Sequence, residues 1–554
     1  MNKIYSRVIL AVMAMVFANP SPSGAADPSS QAVALSPTAD WRSLPPLVRN
    51  HQERQPYSLG PVDPARADQI KAINAGCLSC HSAEGAQNPP RPDVDRAKLA
   101  TMVVSLAASS VHAGQACTSC HGDGVARYPH PETVKQQTRT CVDCHPRSAK
   151  YVLPAFEDSR HFLRHKAEFT CAACHDPHTM VRAGTLTSPH MVAAADNAKC
   201  LDCHQNEAKF ARFSSARKMP DLAVHHNWLP NATLHWASVR CIDCHAEANE
   251  SGYSHQFVRI VKATRDCSSC HTTDSSLRSR LYRKALGQPL VSPAGFVNPV
   301  ILAEAYVVGA TRNVWLDQAI LAVGALLLAG LLLHALVRLA SPARARHPAA
   351  TGHRVYLFAS WLRLWHWSNV VLMGLLALTG FSLHFARPDA AMVPFAPAHQ
   401  IHVAAGIVLC VAFAAFLVGN AVTGNWRQFV PRLAGLPGRL VAQTRFYLWD
   451  IFRGGAHPFP TTPDNTFNPL QQIIYALVMY GACPLLLGSG VLLLFPELLD
   501  GKILDLDATL AVATLHYLAA SAIVLFTLSH IYLATTGTTV LAYLKSMVTG
   551  WHQD

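Results

Sequence analysis

The 554-residue sequence predicts a mainly α-helical protein in two modules: a loop-rich first half built on repeated cysteine and histidine motifs, and a transmembrane helical bundle of five spans. Three observations support this. Fourteen of the sixteen cysteines form Cys-x-x-Cys pairs followed directly by His, and all lie before residue 272. Beyond residue 312, five apolar segments of about twenty residues are long enough to cross a bilayer. The chain begins with Lys3 and Arg7, an apolar run from Val8 to Ala18, and the small residues Gly24, Ala25 and Ala26. That run is too short to span a membrane and has the form of a secretory leader. The expected division is a signal peptide at 1–26, an exported domain at 27–312, an anchor helix at 313–340 and a membrane domain at 341–554.

The formal charge is +12. It comes without a basic tract interleaved with aromatics, and the basic residues of the second half sit between apolar segments, which excludes nucleic acid as a partner. The leader takes two of those positive charges with it.

In an exported chain, sixteen cysteines would suggest disulfides, but a disulfide framework gives no reason for a His after every pair. The motifs are Cys77, Cys80 and His81; Cys117, Cys120 and His121; Cys141, Cys144 and His145; Cys171, Cys174 and His175; Cys200, Cys203 and His204; Cys241, Cys244 and His245; and Cys267, Cys270 and His271. At this spacing two thiols form thioethers to one porphyrin while the adjacent imidazole binds its iron. Seven repeats set aside a zinc or thiol-redox reading and predict seven covalent c-type haems. Successive first cysteines lie 40, 24, 30, 29, 41 and 26 residues apart. Each haem therefore has about one supersecondary unit of polypeptide, and the porphyrins supply most of the core. Proline-rich stretches such as Asn88 to Asp95 and Tyr128 to Glu132 predict short helices and loops. Cys410 and Cys483 lie in apolar stretches and read as inert, buried thiols.

The sixth ligand decides whether a haem carries electrons or binds substrate. Eleven further histidines precede Thr272. His112, His161, His190 and His255 recur with a Ser shortly before and a motif Cys five to twelve residues after; His235 sits six before Cys241; His130 and His178 follow motifs in proline-flanked contexts. These seven are the expected distal ligands, with His51, His165, His225 and His226 in reserve. Such a surplus disfavours an open catalytic iron.

The five spans run at about Leu316 to Val337, Leu362 to Phe385, Ile401 to Val422, Ile473 to Phe495 and Leu510 to Thr535. Arg338, Arg344, Arg346 and Arg354 follow the first span, and Arg427, Arg432, Arg439, Arg445 and Arg453 follow the third. The other loops carry Asp389, Glu497, Asp500, Asp505 and Asp507. The positive-inside rule then agrees with an exported first half, most simply periplasmic, on a multi-pass bacterial inner-membrane protein. Histidine within a span is costly and marks a functional site. His516 and His530, fourteen residues apart, emerge from one helix face about 21 Å apart. By depth His530 pairs with His366 on an inner b-type haem and His516 with His402 on an outer one. His334, His384 and His399, at span ends, read as hydrogen-bonding or snorkelling groups.

Arg363-Leu364-Trp365-His366-Trp367, Ile401-His402-Val403-Ala404-Ala405-Gly406, Phe467-Asn468-Pro469-Leu470-Gln471, and His516 through His530-Ile531-Tyr532-Leu533-Ala534 resemble the cytochrome b subunits of formate dehydrogenases, nickel-iron hydrogenases and thiosulfate reductases. The resemblance covers about 353 to 545. It implies a four-helix bundle with two b haems held at positions matching His366, His402, His516 and His530, and a quinone-contacting Asn matching Asn468. The fused first half replaces the separate iron-sulfur subunit of that family, and the whole arrangement resembles the multihaem c and dihaem b fusions of metal-respiring bacteria.

The expected function is a quinol:cytochrome c-type oxidoreductase. Menaquinol or ubiquinol is oxidised near the inner haem, with Asn468 and Gln471 as candidate hydrogen-bonding groups or, equally, as helix N-capping residues. Electrons pass through two b haems and seven c haems to a periplasmic redox protein or reductase. Transfer in the reverse direction, and service as the membrane anchor and wire of a larger enzyme, are the alternatives.

Overall fold

The computed structural model describes residues 64–553 apart from 108, 134–138, 166–168, 215–217, 248–254, 283–286, 342–353, 388–391, 463–464, 500, 504–505 and 538. The leader, His51, Arg344, Arg346, Asp389, Asp500 and Asp505 lie outside the described residues. The chain forms two compact units. Described residues up to 265, with 277–282, make one; 266–276 and 287–553 make the other. The boundary drawn from sequence at 312 therefore does not coincide with the packing, because the seventh motif folds with the spans. The cause is local. Asn298, fully buried, donates from Nδ2 to the Thr273 carbonyl at 2.9 Å and the Ala310 carbonyl at 2.8 Å, sewing the motif segment to the elbow before the first span.

In the first unit, motif residues form short helices or 3-10 turns, as at Cys117–His121, Cys241–His245 and Cys171–Ala173. Two longer helices, Pro64–His81 and Pro189–His204, carry the same device. Three residues before its motif, Asn74 donates to the Gln115 carbonyl at 2.9 Å and accepts from the Cys117 amide at 2.9 Å. Asn197 donates to the Trp236 and Val239 carbonyls and accepts from the Cys241 amide at 2.7 Å. Each Asn satisfies orphan backbone groups where the next motif begins, and so ties one motif to the following one. Thiols come within hydrogen-bonding reach accordingly, Cys117 with Cys77 and Cys200 with Cys241, as do Cys171 and Cys141. Buried Arg240 pairs with Asp243 at 2.8 Å and with Asp196 at 3.5 Å, adding an ionic tie between the fifth and sixth motifs.

The second unit holds five helices long and apolar enough to cross a membrane: Val314–Ala340, Ser360–His384, Phe395–Thr423, Pro469–Leu494 and Ala508–Leu533. The second packs along the third and the fourth along the fifth. Cys483, Leu486, Ala519 and Ile523 form a buried cluster against Met373 and Phe413. Cys483 is thus buried as expected, whereas Cys410 is only partly so. The fourth span widens into a π-turn at Val478–Ala482, just before Pro484. Proline lacks the amide that would reach Tyr480, and its ring crowds that carbonyl, so the helix relaxes to the wider turn. A further helix at Leu436–Leu448, in the segment that joins the third and fourth spans, buries Gln443 and Phe446. Strand 354–356 pairs antiparallel with 551–553 to close the far end.

The span-end histidines tie helices together. His384 Nε2 donates to buried Asp317 at 2.9 Å, and Arg312 meets the same carboxylate at 2.6 Å. At the other end of the first span His334 reaches the Tyr447 carbonyl at 2.7 Å and the Tyr532 hydroxyl at 2.5 Å. Asp317→Ala strands a buried cation, and is expected to cost about 3 kcal/mol or more. Thermal unfolding in detergent should show a lower midpoint for Asp317→Ala than for Arg312→Ala combined with Asp317→Ala.

Candidate haem sites

Imidazoles are expensive to bury unless their two nitrogens are occupied, and this chain brings them together in pairs, several of them buried or half-buried. In the first unit, ring centroids lie 6.2 Å apart for His81 and His130, 6.1 Å for His112 and His145, and 6.2 Å for His121 and His178. The distances are 6.3 Å for His161 and His204, 6.3 Å for His175 and His255, and 6.0 Å for His226 and His245. In the membrane unit His366 and His530 are 6.2 Å apart, and His402 and His516 are 6.3 Å apart. Two metal–imidazole bonds of about 2 Å plus the half-width of each ring give about 6 Å, the separation that an iron between them requires.

The Nδ1 partners show which nitrogen is available. Carbonyls and carboxylates only accept, so Nδ1 carries the hydrogen in His81 to the Met102 carbonyl (3.2 Å), His130 to Arg127 (2.8 Å), His226 to Leu222 (2.8 Å), His271 to Val308 (3.0 Å) and His178 to Asp176 (3.0 Å). Nε2 then keeps its lone pair for a metal. Burial lowers the pKa of His161 and His175 to about 4, and lowers those of His121, His204, His245 and His255 as well, keeping each in the neutral form that ligates.

In the spans, Thr379 Oγ1 gives its hydrogen to the Leu375 carbonyl at 2.7 Å and so accepts from His402 Nδ1 at 2.9 Å. Ser489 Oγ gives its hydrogen to Leu485 at 2.6 Å and accepts from His516 Nδ1 at 3.1 Å. The next residue is glycine in both cases. A Cβ on Gly380 would sit 3.2 Å from His402 Cε1, and one on Gly490 would sit 3.1 Å from His516 Cε1. Thr379-Gly380 and Ser489-Gly490 are thus one device used twice, a hydroxyl that orients the ring and a missing side chain that admits it. At the far pair, the Tyr475 hydroxyl lies 3.2 Å from His530 Nδ1.

Every motif His from His81 to His245 therefore meets a second imidazole. Five partners are among the expected distal residues; the sixth, His226, stood only in reserve. It follows the one-turn helix Leu222–His225, whose Asp221 cap turns the chain so that the ring faces His245. His190 and His235 stand outside these six pairs. His190 Nδ1 meets the Ala237 carbonyl at 3.1 Å, and His235 Nδ1 meets Asn231 at 3.2 Å. Asn468 and Gln471 form a reciprocal capping box: Asn468 Oδ1 accepts from the Gln471 amide at 2.9 Å, and Gln471 Oε1 from the Asn468 amide at 3.1 Å. Asn468 Nδ2 donates to the Tyr447 hydroxyl at 3.2 Å.

Paired imidazoles beside Cys-x-x-Cys thiols, and again across a helical bundle, define a membrane protein of the cytochrome class whose residues fit both covalent and non-covalent haem. The family model that matches residues 357–550 is prokaryotic cytochrome b561, and the doubled CXXCH motif matches 164–209. A relative from Escherichia coli (strain K12), named "Putative cytochrome YdhU", is 41% identical over 243 residues, 43% of this chain and 89% of that protein. No solved structure matches the chain. The chain belongs to the prokaryotic cytochrome b561 family, joined to a multihaem c-type segment. It is a multi-pass membrane electron-transfer protein that uses haem b and haem c.

His226→Ala should open the iron beside His245 and produce a carbon monoxide difference spectrum larger than that of wild type or His225→Ala. Gly490→Val should force the His516 ring aside and reduce non-covalent haem while covalent haem is retained, as read by acid-acetone extraction.

Proposed function

We propose that the protein oxidises quinol in the bacterial inner membrane and passes the electrons through two b haems and seven c haems to a periplasmic acceptor, a redox protein or reductase. The observation that carries this reading is the stack of two imidazole pairs across the bundle, His366 with His530 and His402 with His516, in a chain that also has paired imidazoles at its Cys-x-x-Cys-His motifs. When bound, each haem supplies one-electron exchange between ferric and ferrous iron. The seven motif cysteine pairs and histidines hold the covalent haems, with His112, His130, His161, His178, His226 and His255 as sixth ligands.

Support for a lipid-soluble substrate comes from an apolar groove of about 380 Å³ lined by Pro431, Ile473, Ala476, Leu477, Tyr480 and Gly481. It follows the first half of the fourth span, where the π-turn widens the helix, and Tyr475 on the same stretch reaches His530. Quinol approaching from lipid along this wall would give up two electrons, one at a time, to the haem that His366 and His530 would hold, and two protons to the Arg-rich, cytoplasmic side. Asn468 and Gln471 act here through the helix cap, and Asn468 holds Tyr447 in place at the same end. Menaquinol and ubiquinol both satisfy this chemistry.

Acid acetone should extract two of nine haems, and His530→Ala should lose one of those two while keeping all covalent haem. Retention of both, with full quinol-driven haem reduction, would overturn the ligand assignment. In proteoliposomes, outward electron movement opposes the usual membrane potential by about 2.3 kcal/mol per 100 mV if the whole membrane is crossed. Turnover should accordingly slow on energisation, and an unchanged rate would move the quinone site to the other pair.

A further inference from the structure

The seventh motif differs from the other six in where it packs. Its segment, 266–276, folds as part of the membrane unit. The His271 ring lies 4.6 Å from the ring of Phe395, the first residue of the third span. Its Nδ1 donates to the Val308 carbonyl, leaving Nε2 for iron, and its own carbonyl is overlain by Gly309. A Cβ at Gly309 would come within 2.4 Å of that carbonyl oxygen, and the backbone there has φ +79°. Only glycine serves at this position. Phe395, His399 and His402 follow one another at i, i+4 and i+7 on one helix face, so His402 lies two turns, about 10 Å, along the axis from the Phe395 contact.

We infer that the seventh motif, seated on the third span through His271, Phe395 and Gly309, is the first c-type station for electrons leaving the membrane. The inference rests on the quinol-to-haem reading above for the source of the electrons. With haem bound, the group that His402 and His516 would hold would lose one electron and the group that His271 would hold would gain it. One electron moves, and no proton or covalent bond changes. Electron transfer falls steeply with distance, so seating this motif on the span itself gives it the short path.

The test uses the full-length protein in liposomes, with b and c α-bands followed separately after mixing with a lipid-soluble quinol. Cys267→Ser with Cys270→Ser should leave six covalent haems. Its b band should reduce at the wild-type rate, and its c band should lag by about a hundredfold or more. If that variant does not accumulate, Gly309→Ala keeps all seven covalent haems while displacing His271, and should slow the c phase by about tenfold without slowing the b phase. A c band that follows the b band at the wild-type rate in the variant obtained overturns the inference. If quinol leaves the wild-type b band oxidised, the quinone reading fails instead. A membrane-dissolved photoreductant then replaces quinol, and the same lag decides the junction.

Discussion

An iron between two imidazoles imposes a separation of about 6 Å on rings brought from distant parts of the chain, and each ring must present Nε2 and not Nδ1. Most of the local structure serves that demand. Short helices and turns present the motif His at a fixed offset from its two thiols. A carbonyl, carboxylate or hydroxyl then occupies Nδ1, as Met102 does for His81, Asp176 for His178 and Thr379 for His402. Burial lowers the cost of the neutral imidazole relative to its cation, so packing and ligation act in the same direction.

The first unit meets this constraint with few fully buried apolar side chains; Phe156, Phe169, Leu277 and Leu281 are among them. Its order comes from directional contacts at motif boundaries. Asn74 and Asn197, each three residues before a motif, join a long helix to the start of the next motif by the same three-point bridge. Buried Arg240 does comparable work with Asp243 and Asp196, a geometry in which loss of one partner is far costlier than loss of the whole pair.

The membrane unit uses a different economy. Apolar side chains cannot drive helix association within lipid, so small residues and hydrogen bonds decide the packing. Thr379-Gly380 against His402 and Ser489-Gly490 against His516 place two similar helix pairs around one site. The far site is built otherwise, from Tyr475 at His530 and a π-turn beyond it, and that asymmetry distinguishes a site adjoining an apolar groove from one adjoining the seventh motif. The first span is held at both ends by polar ties, Asp317 with Arg312 and His384, and His334 with Tyr447 and Tyr532.

Much of this was legible in the sequence, because porphyrin geometry dictates Cys-x-x-Cys-His and bilayer thickness dictates five runs of about twenty apolar residues. The depth argument that set His366 with His530 and His402 with His516 needed only the rise of an α-helix, and the rings lie together accordingly. Thr379-Gly380 and Ser489-Gly490 stand in the sequence as a repeated hydroxyl-glycine signal for the same site. Other features depended on the folded chain. The choice of His226 for His245, the capping role of Asn468 and Gln471, and the packing of the seventh motif with the spans follow from which loop covers which face. A covalent attachment or a membrane crossing is a local requirement written at fixed spacing. A distal ligand or a unit boundary is a meeting of remote segments, and only the tertiary structure brings those together.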